Sequence, residues 1–212
     1  MIARFAVVGF LFLLLVDSAF TDSFTDDFSS GTDDPRYTVQ SGEWLRQNGE
    51  LVVGSGTRGA VMFLPVVTGT VPFVLSVDLM IDNTEASKAA LGLQISADQP
   101  GQYVMLRIRS DKVELFNQDP GGDGGGKPRT KSAFLPLSGP LQPSVWYRLT
   151  VESSGSGAFD IKLIERDASA ANAQPLTSGP LTSANIIGSE KIGLFVSRGL
   201  GARFDNLSFK AK

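Results

Sequence analysis

Five side chains in the middle of the sequence have the types and spacing to grip a polar ligand: Asp78, Gln94, Tyr103, Arg107 and Arg109. Side chains of a strand alternate with period two, so Tyr103, Met105, Arg107 and Arg109 fall on one side of an extended chain and Val104, Leu106 and Ile108 on the other. Guanidinium donors match hydroxyls and carboxylates, a phenol adds a flat ring, and an amide both donates and accepts. That set suits recognition of a polysaccharide. The plainer alternative is a solvated sheet face whose arginine stems cover apolar surface.

The same inventory is poor in catalysts. The chain contains no histidine and no cysteine, which excludes disulfides, thiolate zinc sites, Ser-His or Cys-His pairs and imidazole acid-base chemistry. Asp78 and Asp82 share a strand face but lie about 13 Å apart along an extended chain, too far for a retaining glycosidase pair at about 5 Å.

The elements that must carry these residues are strands. Phe73, Leu75, Val77, Leu79 and Ile81 alternate with Val74, Ser76, Asp78, Met80 and Asp82, and Leu91, Leu93 and Ile95 alternate with Gly92, Gln94 and Ser96. With Gln102 to Phe116, a hairpin turning at Ser110-Asp111-Lys112, three successive strands present polar or small side chains opposite an apolar face. If they are neighbours in one sheet, Asp78, Gln94, Arg107 and Arg109 line a shallow trough.

Short alternating runs separated by turn residues continue from Phe24 to Phe209 without helical periodicity, which predicts an all-β chain. Asn48-Gly49 is a hairpin signal. The stretch from Asp119 to Lys131 is rich in glycine and reads as a loop; Asp119 and Asp123 lack the spacing of an EF-hand calcium loop, and Lys127 is followed by Pro128, unlike a phosphate-binding loop. Asp167 to Ile186 reads as a connecting loop.

At 212 residues and 42 % hydrophobic content the chain can bury a large core, and a net charge of -3 gives no reason to expect nucleic acid as a partner. Met1 to Arg4 makes a positively charged start, and the apolar run Phe5 to Val16 is shorter than the roughly 20 residues of a membrane span. The reading is a secretory signal peptide over residues 1–18, followed by a domain over 19–212 in the secreted, periplasmic or cell-surface compartment; an uncleaved anchor is the alternative. The mature chain has no further reason to meet a membrane, and its partner is expected to be a glycan or an extracellular protein.

Asp26-Asp27-Phe28, Gly42-Glu43-Trp44 with Asn48-Gly49-Glu50-Leu51, Trp146-Tyr147-Arg148-Leu149, Ile192-Gly193-Leu194 and Phe204-Asp205-Asn206-Leu207 resemble the concanavalin A-like lectin/glucanase superfamily. The likeness covers nearly the whole chain after the leader and implies a jelly roll, a sandwich of two antiparallel sheets. It implies carbohydrate-binding modules, lectins, hydrolases and lyases alike. The hydrolase branch's Glu-x-Asp-x-x-Glu pattern is missing, so a non-catalytic binder is expected, with a polysaccharide-degrading enzyme or a structural, protein-binding module as alternatives. The resemblance also brings the first and last strands together. Asp26, Asp27 and Asp205 would then meet, with Asp27 and Asp205 as candidate ligands of a structural calcium; solvated strand ends are the alternative. Trp44 and Trp146 are expected to pack at strand starts, and Gly193 to lie beneath something bulky.

Overall fold

The computed structural model describes residues 23–30, 34–54, 59–66, 71–82, 91–97, 103–118, 130–167, 174–183, 189–197 and 199–212. The leader expected at 1–18 lies outside them, as do Asp119 and Asp123. Among the described residues there is no helix, and every strand pairing is antiparallel.

The first sheet holds β1 (Ser23–Asp26), β3 (Leu45–Gln47), β4 (Glu50–Val53), β6 (Phe73–Ile81), β11 (Trp146–Ser153), β12 (Ala158–Glu165), β13 (Thr177–Thr182) and β15 (Ala202–Ala211). Its order is β13-β12-β11-β6-β15-β4-β3, and β1 pairs with β15. The second holds β2 (Thr38–Ser41), β5 (Ala60–Phe63), β7 (Leu91–Ala97), β8 (Tyr103–Ile108), β9 (Lys112–Gln118), β10 (Thr130–Pro136) and β14 (Ser189–Val196), in the order β10-β9-β8-β7-β14-β5-β2.

The two long alternating runs of the sequence are the central strands, one in each layer. β6 lies between β11 and β15, and β7 between β8 and β14. Their apolar faces, Phe73 to Ile81 at odd positions and Leu91, Leu93 and Ile95, are buried in a common core with Phe204, Leu149 and Leu106. Burying each such side chain is worth about 1.5–3 kcal/mol, which is how a chain without disulfides holds two layers together.

Local sequence explains the corners. Asn48 and Gly49 both have positive φ, 56° and 79°, as a two-residue hairpin turn between β3 and β4 requires. At Gly193 a Cβ would come within 2.8 Å of the Met62 carbonyl oxygen and 2.9 Å of the Phe63 ring, so the bulky neighbour expected there is Phe63.

One expectation fails: the supposed loop from Asp167 to Ile186 contains β13. Gly179 and Pro180 disguise it, yet β13 is the outermost strand of the first sheet, and an edge is where a strand tolerates proline. Along this margin the layers are stitched by Ser138 N–H donating to the Leu176 carbonyl at 2.8 Å and by the Ser183 hydroxyl donating to Asn117 Oδ1 at 2.8 Å.

Leu93, fully buried on the central strand of the second sheet, tests this packing. Leu93→Ala is expected to cost about 2–5 kcal/mol in urea unfolding; a loss below about 1 kcal/mol would mean that the layers do not close over it.

Candidate functional site

Four of the five ligand-binding candidates share the outer face of the second sheet. Tyr103 and Arg107 point outward from β8, with Arg109 just beyond it, because Val104, Leu106 and Ile108 point into the core. Gln94 of β7 stands across from Met105, and Gly92 across from Arg107. On the far side β9 brings Glu114 opposite Arg107 and Phe116 opposite Met105.

Glu114 organises the cluster. Only 2 % exposed, it receives Arg107 at 3.2 Å and Arg109 at 3.4 Å on the same carboxylate oxygen. The Arg107 guanidinium also lies over the Phe116 ring, 4.6 Å from its centroid. Both arginines make contacts beyond these. Phe134 of β10 stands next to Glu114 in the register, 54 % exposed. The face thus combines oriented guanidinium groups, an amide and aromatic rings, the chemistry that binds hydroxyls, carboxylates and the flat side of a sugar ring. Glu114 and Phe116 escape the sequence reading, although the hairpin register carries the signal: with the turn closed by Arg109 N–H donating to the Lys112 carbonyl, alternation places both outward.

Asp78 does not belong to this trough. It lies on β6, in the other sheet, so the three strands expected side by side are split between layers. Its carboxylate is fully buried on the outer side of the first sheet, under a fork from Arg148 at 2.7 and 2.9 Å and an amide N–H from Asn206 at 2.9 Å. Asp205 stands directly opposite Asp78 on β15. Arg166 bridges the two carboxylates at 3.7 and 3.5 Å and lies over the Trp146 ring at 4.6 Å. Arg203 reaches both Glu50 and Asp82, each at 3.0 Å. The charges of this face answer one another.

The first and last strands do pair, with Asp26 opposite Leu207. Beside them runs a groove of about 430 Å³ lined by Thr25, Asp26, Asp27, Asn206, Leu207 and Ser208. The three carboxylates go separate ways. Asp27 is exposed and accepts the Ser29 N–H at 3.0 Å. Asp205 turns to Asn206 and Arg166. Asp26 accepts four donors: Phe28 N–H at 2.7 Å, Tyr37 O–H at 2.7 Å, and two Arg46 nitrogens at 3.2 and 2.6 Å. Calcium takes six to eight oxygen ligands, several of them charged, and among the described residues no three acidic side chains converge on one point. The donor set at this junction does not fit the metal.

Trp44 is buried against Phe204, ring centroids 5.9 Å apart, and its indole N–H donates to the Ser41 carbonyl. Trp146 is half-buried beneath Arg166. Both tryptophans pack at the strand starts where the sequence places them.

The two occupied carboxylates titrate in opposite senses. Burial alone would raise Asp26, but hydrogen bonds from Arg46, Tyr37 and the Phe28 amide and the Arg46 charge outweigh it, so its pKa lies below the ordinary 3.8. Its contribution to stability is present above pH 3.8 and is lost as pH falls through the lower folded value. Asp205 is raised by burial and by the nearby Asp78 and Glu50 charges, with the Asn206 amide and Arg166 opposing. Its contribution is greatest below pH 3.8 and declines as pH rises through the folded value. Asp26→Asn is therefore expected to lower stability at neutral pH and to flatten the acid limb of the stability curve below pH 3.8 in denaturation measured across pH; an unchanged acid limb would contradict the Asp26 assignment.

No protein-family model matches the sequence, and a search of curated proteins found no match. Solved structures do match. The carbohydrate-binding module CBM66 from Bacillus subtilis is 17 % identical with a TM-score of 0.59, over 82 % of this chain and 94 % of that one. The CBM2 module of the evolved Dit protein of Lactobacillus casei phage J-1 is 12 % identical with a TM-score of 0.57, over 89 % and 95 %. The exoplasmic/lumenal domain of VIP36, solved with Ca2+ and Man3GlcNAc bound, is 11 % identical with a TM-score of 0.58, over 89 % and 87 %. At such identities the likeness carries the fold and not the ligand: the chain has the concanavalin A-like lectin fold.

Proposed function

We propose that the protein is a secreted, non-catalytic module that binds a glycan on the outer face of its second sheet. The observation that carries this reading is the cluster of Gln94, Tyr103, Arg107 and Arg109 on one face, with both guanidinium groups fixed by the buried Glu114. Donors held in place before the ligand arrives lose little side-chain freedom on binding. The exposed Phe134 adds flat apolar surface beside them, while the Phe116 ring is the platform on which the Arg107 guanidinium lies; an aromatic face beside polar donors is the usual lining of a sugar site. The fold agrees, since CBM66 and the glycan-bound VIP36 domain share it.

The absence of chemistry is part of the proposal. Hydrolysis of a glycosidic bond needs two carboxyl groups flanking it. Among the described side chains on the strands of this face, Glu114 is the one carboxylate, and it is committed to two arginines. Calcium at Asp27 and Asp205 is not needed for a ligand gripped by guanidinium and amide groups.

A glycan array read alongside a reducing-sugar assay tests the proposal. The chain is expected to retain at least one glycan and release no new reducing ends. Arg107→Gln and Arg109→Gln should each weaken that binding roughly 10- to 100-fold, the value of a hydrogen bond to a charged group. Lys162→Gln, exposed on the opposite sheet, should leave it unchanged. New reducing ends would favour an enzyme, and equal losses in all three variants would move the site elsewhere.

A further inference from the structure

We infer that Arg46 is a built-in cation at the junction of the first and last strands, supplying with a guanidinium the positive charge that a bound calcium would otherwise supply there. The junction has the problem that calcium solves in other proteins: two consecutive aspartates, Asp26 and Asp27, at the end of β1, with Asp205 just before the stretch of β15 that pairs with it. One of these carboxylates is taken out of water. The Asp26 side chain is 9 % exposed and the Arg46 side chain 5 %. A carboxylate so placed needs a cation or a proton.

The cation is already part of the chain. Arg46 reaches Asp26 across 20 residues of sequence with two nitrogens, at 3.2 and 2.6 Å, one on each carboxylate oxygen. Its planar group lies over two rings, 5.1 Å from the centroid of Phe28 and 5.4 Å from that of Tyr37, and one nitrogen also reaches Ser30 Oγ at 3.3 Å. Both residues are tied to the same carboxylate, Phe28 through its backbone N–H and Tyr37 through its phenol O–H. Phe28 has φ of 53°, a left-handed conformation that a bulky residue adopts only when its surroundings impose it. The hydrogen bond from its amide to Asp26 and the cover of Arg46 impose it here.

Metal and guanidinium exclude one another at this carboxylate. Calcium would need the oxygen lone pairs that now accept Arg46, Tyr37 and Phe28, and it would stand beside a fixed positive charge. The hairpin at Asn48-Gly49 favours the guanidinium, because a two-residue turn leaves β3 little freedom and delivers Arg46 already aimed. Asp26 is therefore the acidic half of an internal ion pair, while Asp27 stays at the surface.

Thermal melting of the whole chain tests this without any glycan, so its outcome is separate from that of the proposed function. The wild type is expected to melt at the same temperature in EDTA and in millimolar calcium chloride. Arg46→Met, which keeps the apolar stem and removes the charge, is expected to lower the melting temperature by roughly 5–15 °C, as for other broken buried pairs. Asp26→Asn in the Arg46→Met background should restore part of that loss, because the stranded carboxylate is gone. If Arg46→Met does not fold, Arg46→Lys, which keeps charge but not the fork, should show a smaller loss. A calcium-induced rise in the wild-type melting temperature that Asp27→Asn removes would overturn the inference, as would an Arg46→Met chain that melts like the wild type.

Discussion

Water is kept out of the space between two sheets by alternate residues of β6 and β7, the central strands of the two layers, and every outward-facing group takes its position from that burial. In an antiparallel strand a one-residue slip would turn Arg107 and Arg109 into the core and Leu106 and Ile108 into solvent. The inward positions of β8 are filled by Val104, Leu106 and Ile108, all buried, so the opposite set has no choice of side. A binding face on such a sheet is the reverse of its core, and its geometry is as firm as the packing behind it.

The two outer faces use their charges differently. On the first sheet, acidic and basic groups are matched into a network in which Arg148, Arg166 and Arg203 answer Asp78, Asp205, Asp82 and Glu50. Asp78 and Asp205, opposed on neighbouring strands, coexist because Arg166 and Asn206 bridge them. On the second sheet two arginines converge on a single buried carboxylate. The first arrangement locks strands β6, β11 and β15 together, whereas the second holds two largely buried guanidinium groups in place on the outer side of the second sheet.

Much of this architecture is legible in the chain. Alternation from Phe73 to Ile81 and from Leu91 to Ile95 gives the strands and their inward faces, and Asn48-Gly49 gives a hairpin, because these signals are local. Sheet membership is not local. Nothing in the residues of β6 and β7 says that the chain changes layer between them, which is why alternation alone groups Asp78 with Arg107 while the fold sets it beneath Arg148. The fate of Asp26 is hidden for the same reason: its partner arrives from another hairpin 20 residues away. β13 is hard to see because proline and glycine mark a loop in most settings and an edge strand in this one.

The proposed ligand meets the outer surface of the second sheet. Amide chemical shifts followed by NMR during titration with a glycan retained on an array measure this directly. Shifts should concentrate at Gln94, Tyr103, Arg107, Arg109 and Phe116 while β11, β12 and β15 stay unmoved. Shifts confined to Trp146, Arg148 and Asp205 on the opposite sheet would contradict it.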